Sequence, residues 1–237
     1  MSCDWSATLT TQLTLKGASK AYGERRVLHQ ITFSVRPGER MGIVGENGSG
    51  KSTLLRLIAG VETPDDGEVT VSAAGGAGYL GQTLGLPGHH TVQQAVDAAL
   101  TELRALERGM REAAEAQEMD RYGDLLTAFE ARGGYEADAR VDKAIHGLGL
   151  ARIERSRVLS SLSGGEQARL GLACALAASP EILLLDEPTN HLSLTLVEEL
   201  EQALDGYGGA LVVVTHDRAL RHRYTGTEIS LQEGHPC

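Results

Sequence analysis

A short apolar run, Met41 to Val44, gives way to Gly45-Glu46-Asn47-Gly48-Ser49-Gly50 and then to Lys51-Ser52-Thr53, the head of a helical pattern that Gly60 stops. No other stretch limits the fold so tightly. Glycine at 45, 48 and 50 lets backbone N–H groups turn inward, through conformations that a β-carbon disfavours. The helix behind the loop adds the partial positive charge of its N-terminus. Strand, glycine loop, Lys-Ser and helix in this order form a phosphate cradle. Residues 45 to 53 are therefore candidate nucleotide-binding residues. Lys51 is expected to reach the β- and γ-phosphates, and Ser52 to offer its hydroxyl to Mg²⁺.

The surrounding pattern agrees. Ile182 to Leu185 and Leu211 to Val214 are continuous apolar runs that alternate with helical segments at Gly164 to Ala178 and Leu194 to Leu204. Strands apolar on both faces belong to a largely parallel sheet covered by helices. Ahead of the loop, residues 11–15 alternate polar and apolar as an edge strand does, and His29 to Val35 alternates likewise before the turn at Pro37-Gly38. Glu68 to Val71 and Gly78 to Leu80 read as short strands. From Thr91 the period lengthens. Val92, Val96, Ala99, Leu103, Leu106, Met110 and Ala113 form a heptad seam, and further helices are expected from Tyr122 to Phe129 and from Tyr135 to Leu148. The expected fold is α/β, of P-loop NTPase type. It has a largely parallel central sheet, an antiparallel N-terminal β part and an inserted α-helical subdomain at about 91–150, all within one domain spanning 1–237.

The apolar run Ile182 to Leu185 ends in Asp186 and Glu187. Ligands of open α/β sheets sit at the carboxyl ends of strands. Asp186 is expected to hold Mg²⁺ through its water shell, and Glu187 to polarise an attacking water.

The formal net charge of −10 excludes a chain that is basic throughout, as many nucleic-acid-binding domains are, although a local basic patch remains compatible with it. Cys3, Cys174 and Cys237 form neither a disulfide framework nor a metal-spaced cluster, as expected of reduced thiols in a cytoplasmic protein. No apolar run has the length of a membrane span, and Met1 to Ser6 lacks the basic start of a signal peptide.

Leu162-Ser163-Gly164-Gly165-Glu166-Gln167, taken with the phosphate loop and with "LLLDEP", resembles the motif set of the ABC (ATP-binding cassette) ATPases from end to end. The resemblance implies ATP and Mg²⁺ as ligands and ATP hydrolysis as the reaction. It also implies roles for single residues. Tyr22 falls where the family stacks an aromatic ring on adenine. Gln82 falls where a glutamine contacts Mg²⁺ and the lytic water. His216 matches the histidine that senses the γ-phosphate. In this family Ser163, Gly164, Gly165 and Glu166 complete the site of an opposing cassette, so the partner is a second cassette, in a homodimer or in another cassette protein.

"EPTNHL", Glu187 to Leu192, and the helical insertion resemble the ABC-F branch, of actinomycete type, which has no membrane domains and works on the ribosome in translation or antibiotic resistance. Two further readings are the ATP-binding subunit of an ABC transporter and a degenerate module that binds ATP with little turnover. Ser193 stands where the family usually has Asp. The front of the chain, through about residue 180, resembles the first cassette of a two-cassette protein and the tail the second, which points to a shortened protein that joins the two. Residues 101–121 carry six acidic and four basic side chains, so a plain helical subdomain is expected there at least as much as an arm that reaches RNA.

Overall fold

The computed structural model describes residues 12–73, 76–81, 85–190, 192–216, 226–232 and 235–236. The chain divides into two compact units. One comprises 1–79, 181–186 and 208–237, the other 80–180 and 187–207.

The first unit holds the sheets. β1 (Leu13–Tyr22), β2 (Arg25–Val35) and β4 (Asp66–Val71) form an antiparallel sheet in the order β2-β1-β4. A second sheet runs β5-β6-β7-β3-β8-β9, built from β3 (Arg40–Gly45), β5 (Ala77–Leu80), β6 (Ile182–Asp186), β7 (Ala210–Val214), β8 (Thr227–Gln232) and β9 (His235–Pro236). β3 pairs in parallel with β7 and β8, and β6 with β7. Every residue of β6 and β7 is buried, which is why both read as unbroken apolar runs. The largely parallel sheet and the antiparallel N-terminal part thus form as their residues require. α1 (Lys51–Ile58) follows β3 directly. Leu54, Leu55, Leu57 and Ile58 join Leu13, Leu15, Ile43, Leu184 and Val212 in the core.

Two features differ from the sequence expectation. β1 is not an edge strand, because it lies between β2 and β4. Alternation reports that one face is buried, here through Leu13 and Leu15. It is silent on which backbone edges are paired. β8 was not expected at all. Its Ile229 and Leu231 alternate with polar residues, so no continuous apolar run marks it, although it neighbours the strand that leads into the phosphate loop.

The second unit is helical. It contains α2 (Val92–Ala99), α3 (Thr101–Glu115), α4 (Met119–Ala131), α5 (Ala137–Gly147), α6 (Gly164–Ala178) and α7 (Leu194–Asp205). Thr91 caps α2 in a reciprocal capping box with Gln94. The heptad seam is broken at Leu100, which leaves helical geometry between α2 and α3. Thr101 Oγ donates to the carbonyl of Ala98 at 2.6 Å, offering the backbone a local alternative to a continuous ladder. Arg104 bridges Glu107 on its own helix and Asp138 on α5, and Arg132 bridges Glu102 at 2.6 Å. Cys174 is buried, and burial pushes its thiol up to about 12, leaving it un-ionised and inert. Cys3 and Cys237 lie outside the described residues.

Candidate functional site

In the first unit, β3 delivers Gly45 to the start of the phosphate loop and α1 begins at Lys51. Gly50 precedes α1 in the left-handed region at φ +97°, and no side chain caps the helix. Its first-turn N–H groups are therefore turned toward the loop without a side-chain acceptor. Lys51 is nearly enclosed, and its ammonium donates to the carbonyls of Gly45 at 2.8 Å and Glu46 at 2.7 Å. Ser49 Oγ is buried without a hydrogen-bond partner among the described residues. A β-carbon at Gly45 would come within 2.7 Å of that oxygen and 2.5 Å of the Leu231 carbonyl. The loop is thus a lined hollow with a cation, helix amides and an unsatisfied hydroxyl around it. That donor set fits the phosphates of a nucleotide.

The hollow opens into a pocket of about 1000 Å³. Gly45 to Ser49 line one part of it, with Thr215, His216, Glu228, Arg25 and Arg26 around them. His216 stands just beyond β7, exposed, after the buried Thr215. The fold therefore gathers His216 and the phosphate loop at the carboxyl ends of β7 and β3. Asp186 ends β6 in the same unit and is 3% exposed. Ser52 lies in the first turn of α1.

Tyr22 ends β1, and its hydroxyl donates to Glu62. Glu62 is held in turn by Arg56 of α1 at 2.9 Å. Partial burial raises the Tyr22 phenol above its ordinary value, and the Glu62 carboxylate adds to the shift. The ring remains 46% exposed, so a face is available for stacking while its tip is fixed. Glu62 is a site residue that no motif announces. It follows α1 in a loop, and only folding returns it to Tyr22.

Magnesium fits the donor chemistry here. Ser52 and Asp186 offer oxygen alone, which a hard cation takes. No cluster of three or more His, Cys, Asp or Glu able to hold a metal occurs among the described residues.

The second unit carries the remaining candidates. Ser163 is the N-cap of α6, and Glu166 returns its carboxylate to the Ser163 N–H at 2.7 Å and hydroxyl at 2.8 Å. "LSGGEQ" is thus also a capping box, a local function that the sequence reading overlooked although the S-x-x-E spacing displays it. Gln167 donates to the carbonyls of Leu159 and Leu162, fixing the approach to α6. Gly164 and Gly165 form its first turn. Glu187 adopts φ +51°, rare for a residue with a β-carbon. Asn190 Nδ2 donates to its carboxylate at 2.5 Å and so restrains it. Ser193 precedes α7 and is exposed. Gln82 lies outside the described residues.

The Glu166 carboxyl is held below its ordinary value, first by the Ser163 N–H and then by the Ser163 hydroxyl. A depressed carboxylate stabilises the fold above the unfolded value of 4.5, and that contribution is lost as pH falls through the folded value. Glu166→Ala should therefore melt below the parent at neutral pH, with the gap closing in acid. A gap that widens in acid on a pH series of thermal melts would contradict this account.

The matching relatives agree with this geometry. Residues 28–190 match the model of the ABC transporter family. The chain is 53% identical to the tylosin resistance ATP-binding protein TlrC of Streptomyces fradiae, over 94% of this chain and 42% of that protein. It is 34% identical to the energy-dependent translational throttle protein EttA of Mycobacterium tuberculosis, over 86% of this chain and 38% of that protein. It thus spans well under half the length of these relatives. Among solved structures, an ATP-binding subunit of an ABC transporter superposes with a TM-score of 0.74 at 22% identity, covering 94% of this chain and 87% of that one, and so shares the fold. The chain belongs to the ABC transporter family of ATP-binding cassettes.

Proposed function

We propose that this chain is a single cassette domain over 1–237 that binds and hydrolyses MgATP in partnership with a second cassette, and that it acts on the ribosome in the manner of ABC-F proteins. The observation that carries the ATP reading is the gathering of the phosphate loop and His216 around one pocket, with the enclosed Lys51 held on the carbonyls of Gly45 and Glu46 behind the loop. Bound Mg²⁺ would neutralise charge on the phosphates, and Ser52 and Asp186 are the residues that would hold it. Lys51 exchanges its loop carbonyls for the β- and γ-phosphates, and the N–H groups of the loop and of α1 receive the rest of the negative charge. Tyr22 presents its ring to adenine. His216 senses the γ-phosphate, Gln82 would contact bound Mg²⁺ and the lytic water, and Glu187 polarises that water as general base. Ser163, Gly164, Gly165 and Glu166 serve the nucleotide of the opposing cassette.

The ribosomal reading, with antibiotic resistance as its outcome, is supported by the likeness to TlrC and EttA, whose names state tylosin resistance and translational throttling. No helix among the described residues is long and apolar enough to cross a membrane. A cytoplasmic site of action follows from the ribosomal reading. In the insertion, Arg104, Arg121 and Arg132 are already matched to carboxylates. Acidic side chains outnumber basic ones six to four over residues 101–121, so the α3 and α4 surface has no positive excess to offer RNA, and ribosome contact is expected elsewhere.

The test is co-sedimentation of Glu187→Gln protein with ribosomes in MgATP, the variant holding ATP without cleaving it. ATP-dependent recovery in the ribosomal pellet is expected. No recovery with or without nucleotide overturns the ribosomal reading, and recovery of a membrane protein on pull-down replaces it with a transporter subunit.

A further inference from the structure

Despite a net charge of −10, the nucleotide pocket carries two arginines that no motif accounts for, Arg25 and Arg26. Arg25 opens β2, directly after the turn that follows Tyr22, and its Cα pairs with that of Tyr22 across the hairpin. Directly opposed residues of an antiparallel pair project from the same face. The side chain of Arg25 crosses to the phosphate loop. Its Nη2 lies 3.6 Å from the position a β-carbon on Gly48 would occupy. Lys51 meanwhile is held at the other half of the loop, on Gly45 and Glu46.

This placement is rigid. Gly50 lies so close to β2 that a β-carbon there would meet Leu28 Cδ2 at 2.8 Å and the Val27 carbonyl at 2.9 Å. The start of β2 is therefore pressed against the end of the loop, two residues from Arg25. Arg25 makes no ion pair among the described residues and is exposed to the pocket. An exposed guanidinium with no carboxylate partner, fixed over loop amides already turned to receive anions, is arranged for a phosphate and not for a structural bridge.

We propose that Arg25 is a nucleotide-binding residue, contacting the phosphates at the Gly48 half of the loop, between the adenine stacked on Tyr22 and the phosphates reached by Lys51. The proposal rests on the ATP reading of the same pocket. Because Arg25 stands on the Tyr22 side, it serves ADP as well as ATP. It adds affinity for both without favouring the γ-phosphate.

Calorimetric titration of the whole chain with MgATP, MgADP and adenosine tests this. In Arg25→Ala, affinity for MgATP and MgADP should fall together by about tenfold, the worth of a charge-assisted contact, with adenosine affinity unchanged. The loss should narrow at high salt, which screens the charge of the unmodified protein. Arg36→Ala removes one charge outside the pocket and should bind like the parent. Equal nucleotide affinity in Arg25→Ala and the parent overturns the proposal alone. Absence of MgATP binding by the parent overturns the ATP reading itself. An equal loss for adenosine assigns Arg25 to shaping the hairpin, which also overturns the phosphate contact.

Discussion

Glu187→Gln is expected to cut steady-state ATP hydrolysis by about 100-fold or more while leaving MgATP affinity within about twofold, since a general base contributes about 10² to 10⁴ to rate and little to ground-state binding. The local geometry explains why the change is clean. Glu187 occupies a backbone conformation at φ +51° that a residue with a β-carbon adopts only under constraint, and Asn190 donates to its side chain. Glutamine keeps an oxygen to accept that bond, so the turn survives while the proton acceptor is lost. Phosphate release and equilibrium binding measured on the same preparation separate the two quantities. Turnover equal to the parent's would remove Glu187 from the chemistry, and a parallel collapse of binding would assign it to the architecture of the turn.

Gly50→Ala is expected to destabilise the protein by about 2–6 kcal/mol and to weaken MgATP binding by about tenfold or more. Two effects add. At φ +97° a β-carbon is strained, at about 1–3 kcal/mol. It would also press on Leu28 Cδ2 and the Val27 carbonyl, an overpacking of about 1–3 kcal/mol. Relief requires the loop or β2 to withdraw, and either movement displaces the helix amides that face the phosphates. Gly60→Ala supplies the contrast. Gly60 also has positive φ, at +69°, but its β-carbon would meet nothing within 4 Å, so only the conformational cost of about 1–2 kcal/mol applies. Thermal unfolding of both variants checks the difference. Equal losses would show that the contact with β2 contributes nothing.

The parts of this protein that were legible beforehand are those in which local chemistry carries the information. Three glycines and a lysine ahead of a helix specify a phosphate cradle because the backbone conformation they permit has few other uses. The buried runs of β6 and β7 specify central strands because no solvent face interrupts them. Where chemistry depended on pairing, the sequence was less informative. The position of β1 between two partners leaves no trace in its alternation, since hydrogen-bonded edges are made of backbone common to all residues. β8 carries its signal on one face alone. The heptad seam gives no sign of the break at Leu100, because apolar spacing does not report backbone geometry.

The same division runs through the candidate site. Motif order in the chain alone pointed to a nucleotide and to the residues at the ends of β3, β6 and β7, because each motif concentrates its function within a few neighbours. Only the tertiary structure decided what surrounds them. Glu62 meets Tyr22 across 40 positions of sequence, and Arg25 meets Gly48 across 23. Neither residue type at those positions implies a phosphate or an adenine. A lone carboxylate or guanidinium acquires such a role from its neighbours, and those neighbours are chosen by the burial of the strands and helix that carry them.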